Sequence, residues 1–420
     1  MRRAIRIVIL GINYDPEVTG IAPYTTGLAT SLAQRGHDVA VLTGFPHYPQ
    51  WQRDASTSGF RSAGLLDGVR VHRFSHHVPT RMSWLGRVAM ELTFGMQVVT
   101  SRWKCPDVIV CVTPPLLAAA MAVARTRLSL RRPAVGIIVQ DLYGRGVVES
   151  GAGSHLVGRM MSAVESATFR LCDGVSVIHA GFGTDLTTHL GVDARRVREI
   201  RNWTHVASPD PLASRKFRDE HHWGDDLTVV LHAGNMGYKQ GLENVVAAAR
   251  LADRDDLPVR FVLLGDGNQR TALKSAGAGV RALEFLPPVS NEEFPAALGA
   301  ADVLLVNERP GVSQMAVPSK LTSYFSAGKP ILAASEADGY TAGEVAASGA
   351  GICVPPGRPD LLLSEASRLG GDHDLAERLA ASGRRYCENR LSERSALDRY
   401  EQWVLDLART RTGRPRSRVS

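Results

Sequence analysis

An α/β fold made of two doubly wound sheets is what this sequence predicts, and three observations support it. Short apolar runs with strand character alternate with segments of helical spacing, the rhythm that builds parallel sheets. The rhythm breaks once, at 202–215, where proline, serine and aspartate cluster in NWTHVASPDPLASR. At 420 residues the chain also exceeds the size at which one hydrophobic core keeps growing, so two domains of roughly 200 residues are expected.

Taken in order, the first series opens with a strand at IRIVILG (5–11), followed by a helix at TTGLATSLAQRGH (25–37) that stops at Gly36. Further strands are expected at DVAVLTG (38–44), VRVHRFS (69–75), DVIVCVT (107–113), AVGIIVQD (134–141) and DGVSVIH (173–179). After the break, a second series reads LTVVLHAG (227–234), VRFVLLGDG (259–267), ALEFLP (282–287), DVLLVNE (302–308), KPILAAS (329–335) and GICVPP (351–356). A closing helix at LSERSALDRYEQWVLDLA (391–408) is expected to cross back onto the first domain, ahead of a disordered basic tail. The resulting division is 1–203, 204–388, a crossover helix at 389–408 and a tail at 409–420. Such sheets take ligands beyond the carboxyl ends of their strands, so two facing domains are expected to enclose a cleft.

Composition narrows the class. The chain has 49 basic and 42 acidic residues, a net charge of +7 that suits an anionic ligand or a membrane surface; nucleic acid is not expected as a partner. Five cysteines, odd in number and never spaced as CxxC, point to neither a disulfide framework nor a zinc site and fit a reducing cytoplasm. The opening MRRAIRIVILGINYDP runs into polar residues without a cleavage site and reads as a strand. The apolar run at 114–124 is shorter than the roughly 20 residues a bilayer requires, so no transmembrane span is expected.

The segment most informative for chemistry is HAGNMGYKQGLENVVAAARL (232–251): a strand, a loop with Gly234, Gly237 and Gly241, then Lys239 and an amphipathic helix. Glycines permit close backbone approach, open amides at a helix start attract anions, and Lys239 adds a full charge, together a grip for a diphosphate. A surface lysine beside a helix cap is the structural alternative. In AVPSKLTSYFSAGKPILAAS (316–335), Pro318, Ser319 and Lys320 stand where a helix begins, a second phosphate grip or an ordinary helix start. The loop GINYDPEVTGIAPYTTG (11–27), bracketed by Gly11 and Gly20, touches donor or acceptor, or is a simple connection.

These segments resemble the retaining glycosyltransferases of family four, which have the GT-B fold of two Rossmann-like domains. The likeness spans nearly the whole chain. GINYDPEVTGIAPYT, FPHYPQW (45–51), GNMGYKQG and VPSKLTSYFSAGKP look like bacterial exopolysaccharide and O-antigen sugar transferases, similar to the colanic acid fucosyltransferases. The resemblance implies a UDP- or GDP-sugar donor held by Gly20, Asn235, Gly237, Ser319 and Leu321. Lys239 and Lys320 would stabilise the leaving diphosphate, and the acceptor would be a glycan, a polyprenyl-linked sugar or a small molecule. Tyr24, His47, Asp141 and His179 are assigned to the acceptor side, with an N-cap or a structural histidine as the alternatives for the last two.

Three departures from the family pattern stand out. Asn235 occupies a place where many relatives have arginine, which leaves Lys239 the larger share of the charge. Met315 and Ser323 fall where the family has two glutamates, and Glu344 is the best acidic candidate, with an exposed helix residue as its alternative. Val112 and Thr113 fall where relatives have a histidine. No cluster of aspartates resembles the DxD metal motif of other glycosyltransferases, so neither metal nor cofactor is expected, and the reaction that the resemblance implies is front-face attack with retention. HHVPTRMSWLGRVAMELTFGMQVVTSRWK (76–104) and RTRLSLRRP (125–133) suggest a peripheral membrane face, with Trp84, Leu85 and Phe94 inserting, at the inner side of a plasma membrane. The competing functions are a nucleotide-sugar epimerase or hydrolase of the same fold, and an NAD-dependent oxidoreductase reading Gly265 and Gly267 as part of a dinucleotide fingerprint.

Overall fold

The computed structural model describes residues 4–17, 20–48, 50–53, 59–79, 83–142, 155–204, 206–311 and 319–411. The chain forms two compact units: 1–202 together with 393–420, and 203–392.

In the first unit the strands are β1 (Arg6–Leu10), β2 (Asp38–Gly44), β3 (Arg61–Leu66), β4 (Val69–Phe74), β5 (Val108–Thr113), β6 (Ala134–Val139), β7 (Gly174–Val177) and β8 (Val197–Glu199). They pair in the order β3-β4-β2-β1-β5-β6-β7-β8. The helices between them are α1 (Ala22–Gln34), α2 (Trp84–Thr100), α3 (Leu116–Leu128), α4 (His155–Leu171) and α5 (Ala180–Thr188). The sheet is parallel except at one edge, where β3 runs antiparallel to β4 through a turn at Asp67 (φ 48°) and Gly68 (φ 80°). An Asp-Gly pair with both residues left-handed is the turn that matches the twist of a hairpin. β3 is almost wholly exposed and so lacks the apolar run that marks the other strands.

The second unit alternates strand and helix throughout: α6 (Pro211–Glu220), β9 (Thr228–Ala233), α7 (Glu243–Arg254), β10 (Val259–Leu264), α8 (Arg270–Ala276), β11 (Leu283–Leu286), α9 (Phe294–Ala300) and β12 (Val303–Asn307). It continues with α10 (Lys320–Ala327), β13 (Ile331–Ala334), α11 (Tyr340–Ser348), β14 (Gly351–Val354), α12 (Pro359–Gly371) and α13 (His373–Arg390). Its six strands are all parallel, in the order β11-β10-β9-β12-β13-β14. One core lies on each face of this sheet. Val229, Leu231 and Ala233 of β9 point to one, and Val230 to the other, the period-two alternation of a strand covered on both sides.

The final helix, α14 (Glu393–Arg411), belongs to the first unit and packs on β6. It extends past 408, where the tail was expected to begin; residues 412–420 lie outside the described residues. Glycines make room for it: a Cβ on Gly136 would come within 2.6 Å of Trp403, and one on Gly174 within 2.9 Å of Leu407. Glu401 adds polar ties, accepting from the Arg35 guanidinium at 2.8 Å and lying 3.4 Å from His37. Among the described residues no helix is long and apolar enough to cross a membrane.

Candidate functional site

Numbered from its own first strand, the sheet of the second unit runs 3-2-1-4-5-6, so the chain reverses direction between β9 and β12. In this class of sheet the loops that leave two such strands part in opposite directions, and ligands are taken at the carboxyl ends between them. The loop after β9 is the glycine-bearing segment singled out from the sequence. It is stitched to the loop after β10: Gly234 N–H donates to Leu264 (2.9 Å), Met236 N–H to Asp266 (2.8 Å) and Gln269 N–H to Met236 (3.0 Å). The approach is so close that a Cβ on Gly265 would collide with the Gly234 carbonyl, and one on Gly267 would stand 2.5 Å from the Met236 carbonyl. The glycines at 265 and 267 therefore support this loop from below, a packing role in place of a dinucleotide fingerprint.

Beyond it, Tyr238–Gln240 form a single 3-10 turn that ends at Gly241 in the left-handed region (φ 52°). Asn307, buried at the end of β12, fastens this turn by donating to the carbonyls of Gln240 (2.7 Å) and Gly241 (2.9 Å). Asn244 in turn donates to Asn307 at 2.9 Å, and Arg309 N–H bonds the Lys239 carbonyl at 2.9 Å. The Arg309 guanidinium also stacks 3.7 Å above the Tyr238 ring. Asn235 and Lys239 are thus exposed side chains on a fixed backbone. Gly237 differs from its expected role, because its amide is engaged by the Gln240 side chain at 3.1 Å.

Lys320, the first residue of α10, reaches back to the same loop. Its Nζ lies 3.1 and 3.4 Å from the two ring nitrogens of His232, and 3.9 Å from where a Cβ on Gly234 would sit. Burial lowers its pKa from the usual 10.5 to about 7, against an opposing pull from Glu308. Glu308, following β12, accepts hydroxyl bonds of 2.6 Å from both Ser335 and Thr341. It is an acidic side chain at the switch point that sequence reasoning passed over; its position as the last residue of DVLLVNE was the available signal.

The other expected donor residues lie at varying depth. Ser319 is exposed at the start of α10 and makes no side-chain cap; Pro318 and Met315 fall outside the described residues. Leu321 is 1% exposed within the core, so its side chain packs and only its backbone is left to meet a ligand. Ser323 is buried as well. Glu344 is buried on α11 with Tyr386 donating to it at 2.9 Å, whereas its structural alternative had been an exposed position.

In the first unit, Glu17 organises the loops that follow β1 and β2. Buried itself, it accepts from the backbone N–H groups of His47 and Tyr48, both at 2.8 Å, and from Asn13 at 2.8 Å. His47 is also buried, 3.1 Å from the Phe45 carbonyl, with its ring against His76. Burial pulls the His76 pKa down to about 4, which keeps that ring neutral. Gly20 takes a left-handed φ of 65° beside Tyr48, where a Cβ would stand 3.3 Å from the ring, and Tyr24 is buried in the first turns of α1. Asp141, after β6, acts on the same Tyr48, whose pKa is raised first by burial and then by this carboxylate. Gly20, His47 and Asp141 thus gather around Tyr48. His179 instead caps α5, its Nδ1 accepting from Gly181 N–H at 3.1 Å. Phe94 has no exposed surface, contrary to its expected insertion into a membrane, because Met90, Phe94 and Val98 form the inward stripe of α2.

The features of the second unit, a 3-2-1-4-5-6 sheet with a glycine loop and two lysines at its switch point, are those of a nucleotide-binding α/β enzyme. Comparison with known proteins makes this specific. Residues 19–203 match the family model described as a glycosyl transferase 4-like domain, and residues 228–372 that of the glycosyl transferases group 1. The chain is 33% identical over 380 residues to WcaI of Escherichia coli (strain K12), which is named for a colanic acid biosynthesis glycosyl transferase, covering 86% of this chain and 91% of that protein. Among solved structures, sucrose-phosphate synthase from Thermosynechococcus elongatus superposes with a TM-score of 0.75 at 18% identity, over 96% of this chain and 99% of the other. HepE of Anabaena, in complex with UDP, gives 0.71 at 14% identity over 96% of this chain and 100% of the other. The chain belongs to the family-four glycosyltransferases of the GT-B fold.

Proposed function

We propose that this glycosyltransferase takes its sugar from a UDP- or GDP-sugar, transfers it with retention of anomeric configuration, and requires no metal ion. The observation that carries the reading is one glycine loop that bears an exposed Lys239 on its fixed turn and has the Lys320 side chain packed against it at Gly234. A diphosphate laid across that loop would meet two positive side chains, so the charge that develops as the bond between the sugar C1 and the phosphate oxygen breaks is met without reorganisation. The acceptor hydroxyl then bonds C1 on the face the diphosphate leaves, and its proton passes to the departing phosphate oxygen.

The loops gathered by Glu17 and Tyr48 are the proposed acceptor surface, and a glycan or lipid-linked sugar the proposed acceptor. A UDP complex of HepE and a further one of HepE with UDP-glucose support a nucleotide donor, as fold relatives only. The test is to incubate the chain with UDP- and GDP-sugars and glycan or polyprenyl-linked acceptors, with and without EDTA, and to read product configuration by NMR. An α-linked product from an α-linked donor, formed equally in EDTA, is expected. An inverted product, or free sugar or an epimer with every acceptor, would overturn the proposal.

A further inference from the structure

His232 is the penultimate residue of β9, with none of its surface exposed, directly beneath the loop that carries Asn235 and Lys239. Burial first, and the charge of Lys320 second, hold its pKa well below the ordinary histidine value, so at neutral pH the ring is uncharged and has one N–H and one lone pair. Two backbone carbonyls and one ammonium surround that ring. Nε2 stands 3.4 Å from the Asn235 carbonyl, the Leu305 carbonyl lies within bonding reach of the ring, and Lys320 Nζ stands 3.1 Å from Nε2 and 3.4 Å from Nδ1. A carbonyl only accepts and an ammonium only donates. With the proton on Nε2, that N–H turns to the Asn235 carbonyl and Nδ1, 3.4 Å from Nζ, is left as the acceptor for Lys320.

We infer that His232 is a positioning residue: its neutral imidazole is a fixed acceptor that holds the Lys320 ammonium against the Gly234 loop, in place for a diphosphate. The inference rests on the proposed role of Lys320. A free lysine in this position would have several rotamers to choose among, and restricting them lowers the entropy lost when the phosphate arrives. The remaining carboxylate acting on Lys320 is Glu308, which is already bonded by Ser335 and Thr341. His232 is therefore the neutral partner that sets the orientation of the lysine, and Glu308 the charge that sustains its protonation.

The experiment measures UDP and GDP binding to the full chain by calorimetry from pH 6 to 9, on the unsubstituted protein and on His232→Phe, His232→Gln and Lys320→Ala. A lysine whose pKa is depressed loses its charge as pH rises through that value, so affinity for the better nucleotide should fall across the neutral range. In His232→Phe the ammonium loses its acceptor, so affinity should drop about tenfold and the alkaline limb should move to lower pH. In His232→Gln a side-chain carbonyl replaces the ring acceptor, and both the affinity and the limb should recover most of the way. A folded His232→Phe protein with unchanged affinity and limb, or a His232→Gln protein as impaired as His232→Phe, would overturn the inference. If Lys320→Ala binds both nucleotides as well as the unsubstituted chain, the proposed role of Lys320 fails instead.

Discussion

In the proposed reaction Lys239 and Lys320 would meet the diphosphate from different environments. Lys320 is sheltered, so its charge is strong toward a phosphate and sensitive to pH. Lys239 is exposed, and its value lies in placement: Asn307 and Arg309 fix the backbone of its turn. Replacing it would remove the proposed charge-assisted contact to the diphosphate and leave those backbone bonds in place. Lys239→Ala should therefore slow sugar transfer by roughly 100-fold while thermal stability stays within about 0.5 kcal/mol of the parent. Steady-state kinetics and a melting curve check the pair of outcomes together; transfer at the parental rate would remove Lys239 from the site. Lys239 and Lys320 could be singled out from their loops because lysine beside glycine and a helix start has a plain chemical reading. His232, Glu17 and Glu308 were not, since a residue inside a strand or a polar loop acquires its role only when distant partners fold against it.

At the scale of elements, the strands were readable because those buried on both faces are continuous apolar runs, and every expected strand is present within a few residues. β3 was missed for the converse reason, although its Asp67-Gly68 turn was in plain sight. α2 shows where periodicity outruns composition. Counting aromatics placed Phe94 on a membrane, but the helix turns Met90, Phe94 and Val98 inward and leaves Leu85, Leu92 and Met96 exposed on another face. With the exposed Leu128 and Leu130 beside Arg131 and Arg132, that outward set is the face proposed to meet a membrane bearing a lipid-linked acceptor. The full chain should float with vesicles containing anionic phospholipid and not with neutral ones, and Leu85→Glu with Leu92→Glu should abolish flotation. Equal flotation of the parent and the double variant would assign the patch no such role.

For the molecule as a whole, the order of the chain matters, because the first unit is discontinuous: its last helix is made after the entire second unit. α14 buries Leu397, Tyr400, Trp403, Val404 and Leu407, and Trp403 and Leu407 are the side chains nearest to glycines 136 and 174. Loss of one buried tryptophan or leucine typically costs about 2–5 kcal/mol, and here several would go together, against the 5–15 kcal/mol that holds an ordinary domain folded. Deleting 393–420 should therefore unfold or strongly destabilise the first unit. The second unit has its own two cores and a complete six-stranded sheet within 203–392, so it keeps every internal contact. Calorimetry of the truncated chain should show one transition close to that of the parent and one lowered or absent, and hydrogen exchange should place the lost protection in β5, β6 and β7. Parental protection in those strands without α14 would mean that the helix is an accessory and not a part of the first core.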